Sequence, residues 1–336
     1  MQNKILVTGA TGFIGSHLVE ALLKQKRKVK CLVLRNDSTL GEINNQRAEY
    51  LKNLGAEIFY GNLLDRKSLK EAIKDVDIIF HFGAIARPMA IPDYKYFEIN
   101  AQGTENILEA CKGKKIKKFI HMSSISAIGP SRDNNPVNEK TPAKPVDIYG
   151  ESKLQAEKIL FYHYKKYKVP IIILRPPMVF GERDFEMLRF FKAIKCRFFP
   201  LKGKGKMEFC YVKNLVNAAI LAEKKGKIGE IYHINNGESY TINRIIKAIS
   251  KEMKINLVTI PFPKDLVRAF GFGTEVVCKI LGAHPPFSKE TATWMTTNYW
   301  YSSSDKAKKN LGYKPIYTLE QGIKNTVNWY KKEKIL

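Results

Sequence analysis

The chain of 336 residues predicts an α/β fold, a doubly wound parallel sheet with a smaller C-terminal lobe. Three observations predict it. Short apolar runs alternate with helix-period segments through the first half, the rhythm of parallel strands joined by helices. A glycine-rich turn directly follows the first apolar run, and beyond about residue 176 the alternation loosens.

Taken in order, KILVTG (Lys4–Gly9) is a buried strand and FIGSHLVEALLKQ is the helix behind it. VKCLVL (Val29–Leu34) is the second strand, and AEIFYGN is the third, followed by a helix over 66–74. VDIIFHFGA is the fourth, followed by a long helix over 94–112, and KKFIHMSS is the fifth. A helix over 149–167 leads into the strand VPIIILRPP. Past Pro176, helices over 185–195, 213–224, 241–253, 264–281 and 319–332 alternate with short strands such as EIYHIN and INLVTIP.

Composition narrows the functional classes. The five cysteines are odd in number and scattered, as are the six histidines, so the sequence predicts a reduced, cytoplasmic protein and no metal site. The first residues enter a strand directly, and no apolar run approaches the roughly 20 residues that cross a bilayer. The net charge of +25 comes from 57 basic residues, of which only 12 are arginine. Phosphate and base recognition leans on arginine geometry, so nucleic acid is not expected as a partner. Weak peripheral attraction to anionic lipid is compatible with such a surface.

In TGATGFIG, Gly9 permits a tight turn, Gly12 lets backbone approach a pyrophosphate, and Gly15 allows the helix to pack on the strand. The backbone from Thr11 through Phe13 and Ile14 closes that turn at a helix N-terminus, whose unpaired N–H groups suit phosphates. Residues 1–176 therefore read as a Rossmann-type dinucleotide-binding domain carrying the catalytic residues. Residues 177–336 read mostly as a substrate-binding lobe interleaved with the end of the sheet. An acid selecting NAD is expected about 20 residues past the glycines. Arg35 stands in that region, in LRNDS, where a guanidinium neutralises a 2′-phosphate, so NADP(H) is favoured. NAD(H) is the alternative if Asp37 turns inward, and Arg35 as a solvated loop residue is the plain reading.

YGESK places Tyr149 and Lys153 four residues apart, on one face of a helix. A nearby ammonium favours the phenolate of a tyrosine and brings its proton transfer towards the working pH range. Both Ser123 and Ser124 lie just past the carboxyl end of the fifth strand, where open α/β sheets bind ligands.

With these motifs stand GNLLD (61–65), FHFGA (80–84), NAQGTEN (100–106), SSISAIG (123–129), LRPPMVFG (174–181) and DKAKKNLGYKP (305–315). In that order they make the chain resemble the extended short-chain dehydrogenase/reductase family, its NAD-dependent epimerase/dehydratase group, over nearly the whole length. The resemblance implies a catalytic serine five residues before Gly129, which is Ser124, acting with Tyr149 and Lys153. It also implies that Lys153 holds the nicotinamide ribose beside Tyr149 and Pro176, and that Asn62 and Leu63 flank the adenine, although the family usually has Asp at position 62. Phe82, Gly83 and Ala84 would pass under the pyrophosphate and ribose, where many members have Leu-Ala-Ala. Asn100 would support the site by hydrogen bonding, with a structural role inside its helix as the alternative. Members often dimerise through the helix carrying YGESK and the long helix before it, so a homodimer is implied.

Within that family, local residues discriminate the chemistry. Dehydratases carry an acid pair after the catalytic hydroxyl, where this chain has Ile125 and Ser126, so dehydration is disfavoured. Nucleotide-sugar epimerases have Tyr where Ile128 stands, and a diphosphate-clamping arginine where MEFCYVKN has Met207. No arginine lies between Ala269 and Trp300 either, although Lys204, Lys206 and Lys289 are nearby cations. SSISAIGP looks like the 3β-hydroxysteroid dehydrogenase and dihydroflavonol reductase branch, with Ile128, Met178, Val179 and Met207 facing the substrate. The segment over 261–287 fits a lid whose apolar face is Leu266, Phe270, Val277 and Leu281 around a break at Gly271 and Gly273, or else a core helix pair.

The expectation is an NAD(P)-dependent oxidoreductase interconverting a secondary alcohol and a ketone on a small, fairly apolar, lipid- or sterol-like substrate. A nucleotide-sugar epimerase is the alternative. A non-catalytic NADP-binding regulatory protein is the second, against which the intact Ser124, Tyr149 and Lys153 set speaks.

Overall fold

The computed structural model describes residues 3–35, 41–85, 91–131, 135–195, 198–201, 206–256, 258–261, 263–280 and 299–336. The apolar runs form strands β1 (Lys4–Thr8), β2 (Lys28–Val33), β3 (Glu57–Tyr60), β4 (Ile78–His81), β5 (Lys118–Met122) and β6 (Ile171–Arg175). The lobe adds β7 (Met178–Phe180), β8 (Phe198–Leu201), β9 (Lys206–Met207), β10 (Phe209–Tyr211), β11 (Glu230–His233), β12 (Tyr240–Thr241), β13 (Val258–Pro261) and β14 (Tyr299–Trp300). The helices are α1 (Phe13–Lys24), α2 (Gly41–Asn53), α3 (Arg66–Ala72), α4 (Tyr94–Tyr96), α5 (Gly103–Cys111), α6 (Ile148–Tyr167), α7 (Phe185–Lys195), α8 (Val212–Lys225), α9 (Ile242–Met253), α10 (Lys264–Ile280), α11 (Asp305–Leu311) and α12 (Leu319–Lys332).

The main sheet has seven strands in the order β3-β2-β1-β4-β5-β6-β11, and every pairing within it is parallel. Helices cover both faces, which is why strands such as β6, IIILR, are buried along their whole length. On one face Leu18, Val19 and Leu22 of α1 and Leu215, Ala218 and Ala219 of α8 share a core with β1 and β2. On the other, Leu69 of α3, Ile107 and Leu108 of α5 and Leu160 of α6 pack on the alternate side chains. The lobe has its own core of Phe191, Phe209, Tyr211, Ile245, Ile249, Ile323, Val327 and Tyr330.

Chain order and packing do not coincide past residue 176. β11 joins the main sheet as its last strand, and Ala307 and Leu311 of α11 pack into the core of the first face. Ile14 and Val179 touch that core and the lobe core at once.

Three features depart from the sequence expectation. Helices α2 and α11 were not foreseen, because both are short of apolar periodicity. The long fourth helix is interrupted by a π-helical segment over Phe97–Gln102. Helix α10 runs without a break through Gly271 and Gly273; a helical glycine costs only about 1 kcal/mol against alanine, too little to end a 17-residue helix. Of the expected lid face, Leu266 and Val277 are 56% and 53% exposed. The Phe270 side chain, Leu281, Asp37, Lys204 and Lys289 lie outside the described residues.

Candidate active site

The strand order reverses between β1 and β4, and the carboxyl ends of these neighbours open the crevice where such sheets bind ligands. Gly9 leaves β1 with φ +64°, and a Cβ on it would stand 2.7 Å from the Gly83 nitrogen. A Cβ on Gly15 would stand 2.0 Å from the Gly9 carbonyl oxygen. The glycines therefore let the turn, the first helix and the segment after β4 meet backbone to backbone. Gly12 donates to Gly9 O at 3.0 Å, and α1 starts with no side-chain cap, so its first N–H groups point into the crevice unsatisfied by the helix. This cradle, which any side chain would fill, fits a dinucleotide pyrophosphate.

One residue missed in the sequence braces that turn. Arg47 of α2 donates to Thr11 O at 2.9 Å and to Arg183 O at 3.2 Å. Burial, aided by the Arg183 charge, pushes its pKa down to about 10. Phe13 and Ile14 turn towards the lobe core, with the Phe13 ring edge-on to His17 at 5.9 Å.

A chain of hydrogen bonds crosses beneath the crevice. Gly83 N donates to Thr8 Oγ1 at 3.0 Å, Thr8 Oγ1 meets His81 Nδ1 at 2.8 Å, and His81 Nε2 meets Thr104 Oγ1 at 2.9 Å. Thr104 spends its proton on Asn100 O at 2.6 Å, so Nε2 carries the imidazole proton and Nδ1 accepts from Thr8. Burial, with Lys153 acting in the same sense, pushes His81 down to about 3 and keeps it neutral. Asn100, set on the π-helical segment, accepts from Ile85 N at 2.8 Å and donates to Ile85 O at 3.0 Å and Ser152 Oγ at 2.9 Å. It thus ties the segment after β4 to the helical turn between Tyr149 and Lys153. A histidine inside the apolar run DIIFHFGA was the available signal for this chain.

The two serines part company past the end of β5. Ser123 donates to Glu157 Oε1 at 2.5 Å, and Glu157 is held by Arg175 Nε at 2.9 Å and by its Nη2 at 2.5 Å. Ser124 caps the 3-10 turn Ile125–Ala127, its Oγ accepting from Ser126 N at 3.1 Å, which leaves its own proton to donate elsewhere. Gly129 closes the stretch with φ +86°, where a Cβ would meet Lys144 O at 2.2 Å.

Helix α6 docks on that same turn. Asp147 caps it by accepting from Gly150 N at 2.6 Å, and a Cβ on Gly150 would stand 2.4 Å from Ser126 O. The glycine of YGESK is therefore a close-approach residue that sets half-buried Tyr149 against the turn capped by Ser124. One helical turn on, Lys153 is 2% exposed and donates to Met122 O, at the end of β5, at 2.6 Å. Burial pushes its pKa down to about 8, against the pull of Glu157.

The remaining sequence-predicted residues occupy settings that range from exposed turns to the lobe core. Arg35 lies over the Tyr60 ring, 4.5 Å from its centroid, at the exposed ends of β2 and β3. Asn62 Oδ1 accepts from Leu64 N at 2.9 Å, shaping its own turn, and Leu63 O accepts from Asn106 Nδ2 at 3.0 Å. Phe82 stands edge-on to Phe80 at 5.9 Å, next to half-buried Ala84, and buried Pro176 accepts from Ile125 N at 2.9 Å. Ile128 packs with Ile125, Val137 and Trp300, and Met207 is buried in the lobe core. Met178 and Val179 of β7 are half-buried against that core.

Comparison with known proteins places this geometry in a family. Residues 5–235 match the NAD dependent epimerase/dehydratase family. The dTDP-D-glucose 4,6-dehydratase of Dictyostelium discoideum is 32% identical, with 98% of this chain and 82% of that protein covered. The decarboxylating sterol-4-alpha-carboxylate 3-dehydrogenase of Bos taurus is 28% identical, with 96% and 90% covered. Among solved structures, UDP-glucuronic acid 4-epimerase from Bacillus cereus, in complex with UDP-glucuronic acid and NAD, has a TM-score of 0.78 at 26% identity, with 98% and 99% covered. The chain's relatives thus span three chemistries.

Proposed function

For a chain that belongs to the NAD-dependent epimerase/dehydratase family, we propose an oxidoreductase that interconverts a secondary alcohol and a ketone on a fairly apolar, lipid- or sterol-like molecule. The observation that carries the reading is the docking of the Tyr149–Lys153 turn on the turn capped by Ser124, with the Lys153 ammonium buried behind them. The nicotinamide, when bound, supplies or accepts the hydride. Ser124 donates to the reacting oxygen and holds it, Tyr149 passes the proton, and Lys153 stabilises the phenolate. A lysine whose pKa burial lowers to about 8 still carries the positive charge that stabilises such a phenolate near neutral pH.

Two features favour this reading over a sugar-nucleotide enzyme. Where an epimerase would hold a diphosphate-clamping arginine, Met207 is packed among Phe180, Phe209 and Tyr240. No acid follows Ser124 to expel water. The likeness to UDP-glucuronic acid 4-epimerase favours the second reading, a nucleotide-sugar epimerase. For the cofactor we favour NADP(H), because exposed Arg35 on Tyr60 suits a 2′-phosphate; NAD(H) is supported by the family and by the NAD in the Bacillus cereus structure. A cytoplasmic homodimer pairing through α5 and α6, with weak attraction to anionic membrane surfaces, completes the proposal.

The test is the nicotinamide absorbance during incubation with a panel of apolar secondary alcohols and ketones and, separately, UDP-hexoses. A dehydrogenase changes it in proportion to product. Conversion of a UDP-hexose to its epimer with no net change overturns the reading in favour of the epimerase.

A further inference from the structure

The histidines are scattered in sequence, yet the fold brings His163 of α6 to Glu105 and Glu109 of α5, with one donor atom of each within 4.8 Å of the others. The His163 side chain is fully buried, and neither ring nitrogen has a hydrogen-bond partner. Its Nε2 faces the carboxylates, 3.5 Å from Glu109 Oε1, and Glu109 itself is 32% exposed. The rings of Tyr162 and Tyr167, with centroids at 5.6 and 5.2 Å, wall the imidazole and fix its plane.

His121 and His233 also bury both ring nitrogens unbonded, but among the described residues only His163 stands with two carboxylates in reach of one ion. The neutral imidazole is the form that ligates metals. Two donors on a tetrahedral zinc ion, each about 2.0–2.1 Å away, lie roughly 3.4 Å apart. The His163–Glu109 pair already has nearly that separation. Glu105, one turn before Glu109, supplies a third donor, an oxygen on the same helix face.

We propose that Glu105, Glu109 and His163 form a site for a divalent transition-metal ion of the zinc class, with a fourth position open to water, clamping α5 to α6. One imidazole with two carboxylates suits zinc, and other transition ions less selectively. His163 lies ten residues past Lys153, or about 15 Å along the helix, so the ion is structural and takes no part in the reaction. Two contacts must yield. Lys112 Nζ lies 2.6 Å from Glu109 Oε1 and over the Tyr167 ring at 3.9 Å, holding the place of a cation, and Gln102 donates to Glu105 Oε2 at 3.0 Å. Because His163 Nδ1 has no outer acceptor to orient it, affinity in the micromolar range is expected, not nanomolar.

The test is calorimetric titration of the metal-stripped full chain with Zn2+, repeated with Co2+ and its visible spectrum, alongside thermal melting. One ion per chain, a raised Tm and a tetrahedral cobalt spectrum are expected. His163→Ala and Glu109→Gln should each weaken binding at least tenfold. Lys112→Ala should tighten it several-fold, whereas Lys114→Ala, which removes the same charge from an exposed neighbouring position, should not. Failure to bind one ion per chain, or binding indifferent to His163→Ala, overturns the proposal. If His163→Ala does not fold, equal affinities for the two lysine variants overturn it instead.

Discussion

Ser123 donates its hydroxyl proton to Glu157 Oε1 at 2.5 Å, inside the two-bonded pair that Glu157 makes with Arg175. That bond separates two adjacent serines that composition cannot distinguish. Ser123→Ala should cost about 1–2 kcal/mol of stability, read from the urea midpoint, with kcat within a few-fold of wild type. Ser124→Ala should lower kcat by roughly 10²–10³, with a stability cost of about 1 kcal/mol from the lost cap on the 3-10 turn. The opposite pattern would assign the chemistry to Ser123.

Gly150→Ala tests the docking of α6. Alanine is the better helix former by about 1 kcal/mol, but its Cβ would lie 2.4 Å from a backbone oxygen that no side-chain rotation can move. The clash should win, lifting Tyr149 away from the turn capped by Ser124. Turnover should fall at least tenfold, with a smaller loss of cofactor affinity, because the glycine cradle at the pyrophosphate end is untouched while Lys153 rides on the displaced helix. A fully active Gly150→Ala protein would remove the close-approach account.

Arg35 tests cofactor choice. The wild type should bind NADPH more tightly than NADH in fluorescence titration, and Arg35→Ala should reduce that preference about tenfold, the worth of one charge-assisted contact to phosphate. A clear NADH preference in the wild type would leave the guanidinium as a partner of Tyr60 alone.

Acid should destabilise the fold through its buried imidazoles. Burial lowers His17 to about 4, and His81 and His233 to about 3. Their native values lie below the unfolded value near 6.5, so the unfolded chain binds more protons in between. Their contribution is present above about pH 6.5 and is lost as pH falls towards the native values. Each imidazole should cost on the order of 1–2 kcal/mol between about pH 7 and 5. Urea midpoints at constant ionic strength measure this, and a flat profile over that range would contradict it.

The local geometry of the candidate site was legible where one turn or one helix face sets it. The glycines at 9, 12 and 15 and the Tyr149–Lys153 spacing are set by one turn and one helix face, which a sequence displays directly. What escaped depends on contacts between distant segments. Arg47 reaches Thr11 from a helix without apolar periodicity, so nothing in its neighbourhood marked it. Gly271 and Gly273 suggested a break, but two glycines do not outweigh the remaining turns of α10. His163 and Glu109 are 54 residues apart in the chain and 3.5 Å apart in the fold, a distance no spacing rule could supply.

The central claim is that Tyr149, tuned by buried Lys153, moves the proton during hydride transfer. Tyr149→Phe tests it most directly, using the alcohol or ketone of the panel that the wild type turns over best, with cofactor affinity measured in parallel. Retained cofactor affinity with kcat lowered by roughly 10²–10⁴ is the predicted result. Unchanged kcat in a folded, cofactor-binding Tyr149→Phe protein would contradict the account.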